Sequence, residues 1–206
     1  MRITEPMTLL TDYLMAVEAA ALALLIWRKS PLPLPLHLWA TAFLGVAIAA
    51  FLGGTYHGFT DYLDNAALKL LWQTMLASLG IASSLMLTAA ILLTIRHPWY
   101  IWGAIAVLLK LFALLVWAIP RTSFIVMVVD YMMALVLVVV LYWRVRPKHA
   151  STRWLMAGFW VSLVGATVQI LTVSPAPWFN QNDLYHIIQM VALYLFFRGA
   201  IASESS

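Results

Sequence analysis

Seven apolar runs, each long enough to cross a hydrocarbon layer and each closed by charge or proline, constrain this chain more than any other feature. A spanning helix needs about 20 mostly apolar residues. The runs lie at about Leu9–Trp27, Leu38–Phe59, Ala67–Ile95, Trp99–Ile119, Phe124–Trp143, Trp154–Val173 and Asp183–Ile201. Between them, Arg28-Lys29-Ser30-Pro31-Leu32-Pro33-Leu34-Pro35, Arg96-His97-Pro98, Pro120-Arg121-Thr122, Arg144-Val145-Arg146-Pro147-Lys148 and Ser174-Pro175-Ala176-Pro177 break the helical pattern. Only 10% of residues are charged and 64% are hydrophobic, whereas a soluble domain carries about a quarter charged residues. The expected architecture is all-α, a single seven-transmembrane-helix domain over residues 1–206, in an integral multi-pass protein of a membrane such as the bacterial inner membrane. With no cysteine, disulfides, thiolate metal sites and thiol nucleophiles are excluded. The net charge of +4 sits beside the runs and is no nucleic-acid signature.

The first run is read as a retained helix and not as a leader, because Asp12 and Glu18 interrupt it and Glu5 precedes it. Arg28, Lys29, Arg96, Arg144, Arg146, Lys148, Arg153 and Arg198 fall on one side of the layer, and Arg2, Lys69 and Arg121 on the other. Eight basic residues against three place the N-terminus outside and the C-terminus in the cytoplasm. Trp27, Trp99, Trp143, Trp154 and Trp178 stand near run ends, as an interfacial belt requires.

With that orientation, the intramembrane polar residues can be placed by depth. His57 falls near the outer end of the second helix. Asn182 and His186, four residues apart and so on one helical face with roughly 6 Å of rise between them, open the seventh. Gln189 lies a turn deeper. Gln73, Asp12, Asp130 and Gln169 also belong to the outer half, with Glu18 nearer the midplane and Lys110 just past the middle of the fourth helix. Ionisable groups in hydrocarbon cost about 2.5–3.5 kcal/mol each on insertion scales and tend to face a bundle interior. Their common level predicts one outward-facing polar cavity. His57 and His186 are candidate metal ligands there, with Asn182 or Asp130 as a third; zinc suits imidazole, and a catalytic zinc keeps a water in its open position. As structural groups, the histidines would instead join helices by hydrogen bonds. Asp130 has a simpler role open to it as counter-ion of Lys110.

Gly53-Gly54-Thr55-Tyr56-His57-Gly58-Phe59, with Asn182-Asp183-Leu184-Tyr185-His186, resembles the CREST superfamily, which contains alkaline ceramidases, adiponectin/progestin-type receptors and related seven-helix membrane hydrolases. That pattern has Ser-x-x-x-His ending helix two, an Asp on helix three and His-x-x-x-His opening helix seven, with three histidines on zinc. His57 and His186 match two of them. Asn182 stands at the first helix-seven histidine, Gly53 at the serine, with Thr55 the nearest hydroxyl, and helix three offers Gln73 for the aspartate.

Two functions follow as expectations. One is a zinc-dependent hydrolase of a lipid amide or ester. His57, His186 and Asn182 would hold the metal, Asp130 or Gln73 would orient its water, and Gln189, Tyr185 and Trp72 would line the substrate site. The other is a non-catalytic receptor or sensor that binds a membrane lipid or small ligand in the same cavity. A coupled transporter ranks third because the inner half is apolar, and haem ligation by the two histidines remains open. A retinal protein is set aside, since the last helix has no lysine.

Overall fold

The computed structural model describes residues 3–203, without the side chain of Ala118; Arg2, counted above among the outer basic residues, lies outside them. The chain is all-α, and no strand forms among the described residues. Seven helices run α1 Pro6–Trp27, α2 Leu34–Phe59, α3 Asn65–Thr94, α4 Trp99–Ala113, α5 Phe124–Val145, α6 Ala150–Ile170 and α7 Gln181–Ala202. Most begin a few residues before the apolar runs do, because starts are set by local chemistry. Pro6 occupies the first turn of α1 and Pro35 that of α2, where a missing N–H costs nothing. The Asp64 carboxylate accepts from Ala67 N at 2.7 Å to start α3. Asn180 and Asp183 start α7 as a reciprocal capping box. α4 unwinds into a π-helical turn at Leu114–Ala118 and a 3-10 turn at Ile119–Arg121.

Six helical stretches, Pro6–Trp27, Leu34–Tyr62, Asn65–Thr94, Trp99–Arg121, Phe124–Val145 and Gln181–Ala202, are long and apolar enough to cross a membrane. α6 is not among them: Ser151, Thr152, Arg153, Ser162, Thr167 and Gln169 lower its hydropathy.

Packing closes α1, α2, α3, α5, α6 and α7 into a ring. α1 touches both α2 and α7, and α5 packs closely on α3 and more loosely on α6. α4 lies outside this ring against α3, with Val107 buried and Leu108, Leu109 and Phe112 exposed. At the end away from His57 and His186 the core is large and apolar, built on Trp39, Phe43, Met86, Tyr142 and Phe196. Small residues set the closest approaches. A Cβ on Gly54 would meet the Tyr13 ring at 2.7 Å, and one on Gly158 would meet the Phe196 ring at 2.6 Å. Arg198 stacks over Trp154 at 4.6 Å and donates to the Tyr194 hydroxyl, fastening that end of α7.

Gly158→Val therefore forces α6 from α7. A loss of about 1–3 kcal/mol is expected from overpacking, read as a lowered thermal midpoint in detergent, while Leu109→Ala on exposed α4 leaves the midpoint unchanged.

Candidate functional site

The polar residues of the ring gather at the end that holds the start of α1, the end of α2 and the start of α7. Asp12 and His186 are buried there, and their side chains meet with Nε2 3.3 Å from Oδ1. On the other edge of the imidazole, Nδ1 lies 3.0 Å from the Thr11 hydroxyl. Thr11 also reaches the Met7 and Thr8 carbonyls at 3.1 and 3.2 Å. The Asp12 carboxylate thus stands against one imidazole nitrogen and the Thr11 hydroxyl against the other.

A second chain of contacts runs alongside. The Thr8 hydroxyl is within reach of Asp183 Oδ1 at 2.8 Å and Glu5 Oε2 at 3.1 Å, and it accepts from Asn180 Nδ2 at 3.3 Å. Asp183 is fully buried and also takes the Asn180 backbone N–H at 2.7 Å. Glu5 Oε1 approaches His57 Nδ1 at 3.4 Å, at the edge of the bundle. Helix α1, through Thr8, Thr11 and Asp12, is thus the polar seam between α7 and the end of α2.

This seam walls a chamber of about 170 Å³ lined by Asp12, Gly53, His57, Trp72, Gln169, Asn182, Tyr185 and His186. Trp72 is oriented by donation to the Thr122 carbonyl at 3.0 Å and packs against Tyr56 and Phe124. Gln169 donates to Asn182 Oδ1 at 2.7 Å, and its own carbonyl oxygen is buried without a protein partner. Below lies an apolar chamber of about 70 Å³. The two share Met15, Val46, Leu79, Phe124 and Tyr185 as walls. Gln189 reaches the lower chamber and is held by Ser162, which donates to its Oε1 at 3.1 Å. A third hollow between α5 and α6, lined by Ile125, Val128 and Ile170 with Phe124, Ala166, Gln169 and Tyr185, leads from these chambers to the flank of the bundle.

Of the residues singled out from the sequence, His57, His186, Asn182, Trp72 and Tyr185 line the upper chamber and Gln189 the lower. Two stand elsewhere. Asp130 faces α4, where its Oδ1 lies 2.8 Å and its Oδ2 2.9 Å from Lys110 Nζ, and Oδ2 accepts from Ser83 at 2.7 Å. Gln73 reaches the Ile119 carbonyl at 3.5 Å and ties α3 to the end of α4. Neither is placed to orient a water in the chamber. The zinc expectation fits these residues poorly. Both imidazole nitrogens of His186 are engaged, Asn182 Oδ1 is taken by Gln169, and among the described residues no three His, Asp or Glu side chains form a group that could hold a metal ion. The sequence reading passed over Asp12, Thr11, Thr8 and Asp183 as site residues. Thr8, Thr11 and Asp12 at i, i+3 and i+4 form one polar stripe, and that spacing was the available signal.

A ring of apolar helices closed around a polar chamber at one end defines the class, a seven-helix bundle with membrane-compatible helices. The chain belongs to the family of unknown function DUF6962, whose model matches residues 7–205. No curated protein and no solved structure matches it.

Lys110 and Asp130 give a direct test of this placement. Breaking a fully buried pair costs about 3–5 kcal/mol. The Lys110 side chain is 29% exposed, so Lys110→Met is expected to cost less, on the order of 2 kcal/mol. Lys110→Met with Asp130→Leu recovers most of that in thermal unfolding.

Proposed function

We propose that this is a multi-pass membrane protein, its histidine-bearing end outward, that receives a lipid-like molecule in the stacked chambers and acts as a receptor or sensor without a resident metal. Membrane insertion is supported by the six long apolar helical stretches. The outward orientation is supported by the basic residues, eight against three in favour of the opposite side. The observation that carries the functional reading is the stacking itself: two mostly apolar chambers share walls, and the upper one gathers Asp12, Gln169, Asn182 and His186 at one end. A head group would meet Asn182, Gln169 and the Asp12–His186 pair, and a hydrocarbon tail would lie along Val46, Met127 and Leu193. Small-molecule sites are commonly built this way, mostly apolar with a few placed polar groups.

One observation favours a second reading, hydrolysis of a lipid amide or ester. Asp12 and His186 open onto the chamber as an acid–base pair 3.3 Å apart, which is the kind of group needed to move a proton at a reacting centre. The zinc-dependent form of this reading lacks its ligand set here and is not carried forward.

Native mass spectrometry of protein purified in mild detergent is expected to show a retained lipid-like adduct. Val128→Trp, which fills the passage between α5 and α6, is expected to lower its occupancy at least several-fold while the bundle stays folded. An adduct unchanged in Val128→Trp, or none in wild type across several detergents, counts against ligand reception. Turnover of an acyl amide or ester that survives chelation and disappears in Asp12→Asn would establish the second reading instead. Zinc analysis of the wild-type protein is expected to be sub-stoichiometric.

A further inference from the structure

We infer that the head group this chamber selects is a protonated amine, so that the ligand is a single-chain amphiphilic amine in preference to a fatty acid. This rests on the reading of the chambers as a ligand site and adds the charge of what occupies it.

Three observations on different residues lead there. First, none of the residues lining either chamber is lysine or arginine. The titratable groups on and directly behind the chamber wall are Asp12, Asp183, Glu5 and the imidazoles of His57 and His186. Three carboxyls against two imidazoles give the wall an acidic balance with no fixed positive charge. Inorganic or lipid anions would enter against that sign, in a medium where screening is weak. Second, the carbonyl oxygen of Gln169 is buried without a protein partner beside Asn182, whose own carbonyl is already used. An unmet buried acceptor costs about 1–3 kcal/mol, and it is met by a donor, which an ammonium supplies and a carboxylate does not. Third, Trp72, Phe124 and Tyr185 line the chamber, and aromatic faces attract cations and not anions. Asp12 on α1 and Gln169 on α6, the two helices that flank α7, both line the chamber and both offer acceptors to an ammonium with three N–H donors.

The apolar chamber below sets the rest of the molecule. Its lining is mostly apolar, with Met15, Val46, Leu79 and Leu193, and carries no carboxylate for a second ammonium, which favours one hydrocarbon chain over a short polyamine.

The experiment compares three probes of equal chain length, dodecylamine, dodecanol and dodecanoate, on the full-length protein in neutral-lipid nanodiscs, with protein-free nanodiscs as background. Dodecylamine is expected to bind at least tenfold more tightly than dodecanoate, with dodecanol between them. Asp12→Asn is expected to bring dodecylamine down toward the level of dodecanol, and the variant's thermal midpoint in the same nanodiscs reports that it has folded. Should Asp12→Asn not fold, the ranking in wild type and in Gln169→Leu still decides. Dodecanoate binding as well as dodecylamine, or amine binding that both variants leave untouched, overturns the amine while dodecanol binding leaves the chamber reading in place. Failure of all three probes to bind overturns both.

Discussion

Polar side chains in an apolar bundle must be satisfied by one another, and at the histidine-bearing end that condition is met across the seam between α1 and α7. His186 finds Thr11 and Asp12, and Asp183 finds Thr8. Neither helix could bury these groups alone at a tolerable cost, since an unsatisfied buried polar group forfeits its hydration with no return. The pairing fixes the rotation of both helices about their axes and thereby decides which residues face the chamber. Everything else at this end, including the placement of His57 at the mouth and the Gln169–Asn182 amide contact, follows from that registration.

The same seam explains why the sequence diverges from the pattern it resembles. Where that pattern carries a serine, this chain has Gly53, and a Cβ there would lie 3.3 Å from Asp12 Oδ2. The carboxylate of α1 fills the space beside α2 that a hydroxyl side chain would enter. Where the pattern carries a first helix-seven histidine, Asn182 is bonded to Gln169 of α6. A zinc centre depends on three free lone pairs pointing at one spot. Here the corresponding positions are spent on joining α1, α2, α6 and α7, and a cavity remains in the middle of the joint.

Much of this was legible from the chain itself. Helix number, order and approximate bounds followed from run lengths and breakers, and the depth argument brought His57, His186, Asn182, Gln169 and Asp12 to one level. Depth, however, says nothing of azimuth. On α1, Leu10, Leu14 and Val17 are exposed while Met15, Ala19 and Ala23 are buried. Both faces are apolar, so the 3.6-residue period carries almost no contrast. For that reason Asp130 could be placed at the right height and still point to α4, where Lys110 waits. Gln73 and Trp72, adjacent on α3, likewise share a level but only the tryptophan enters the cavity wall. The partners of Asp12 were hidden for the same cause, although the Thr8–Thr11–Asp12 stripe marked the correct face.

Because the ring is closed by α7 against α1, it cannot be completed until α7 has been made. Until α7 arrives, Thr8, Thr11 and Asp12 have no interhelical partner and the cavity has no wall on that side. Without α7 the other helices of the ring form an open crescent whose polar stripe is uncovered. The act that matures the cavity is the docking of α7 against α1. A product lacking α7 would therefore carry an unsheltered acid on α1, the physical difference between an unfinished molecule and a finished one.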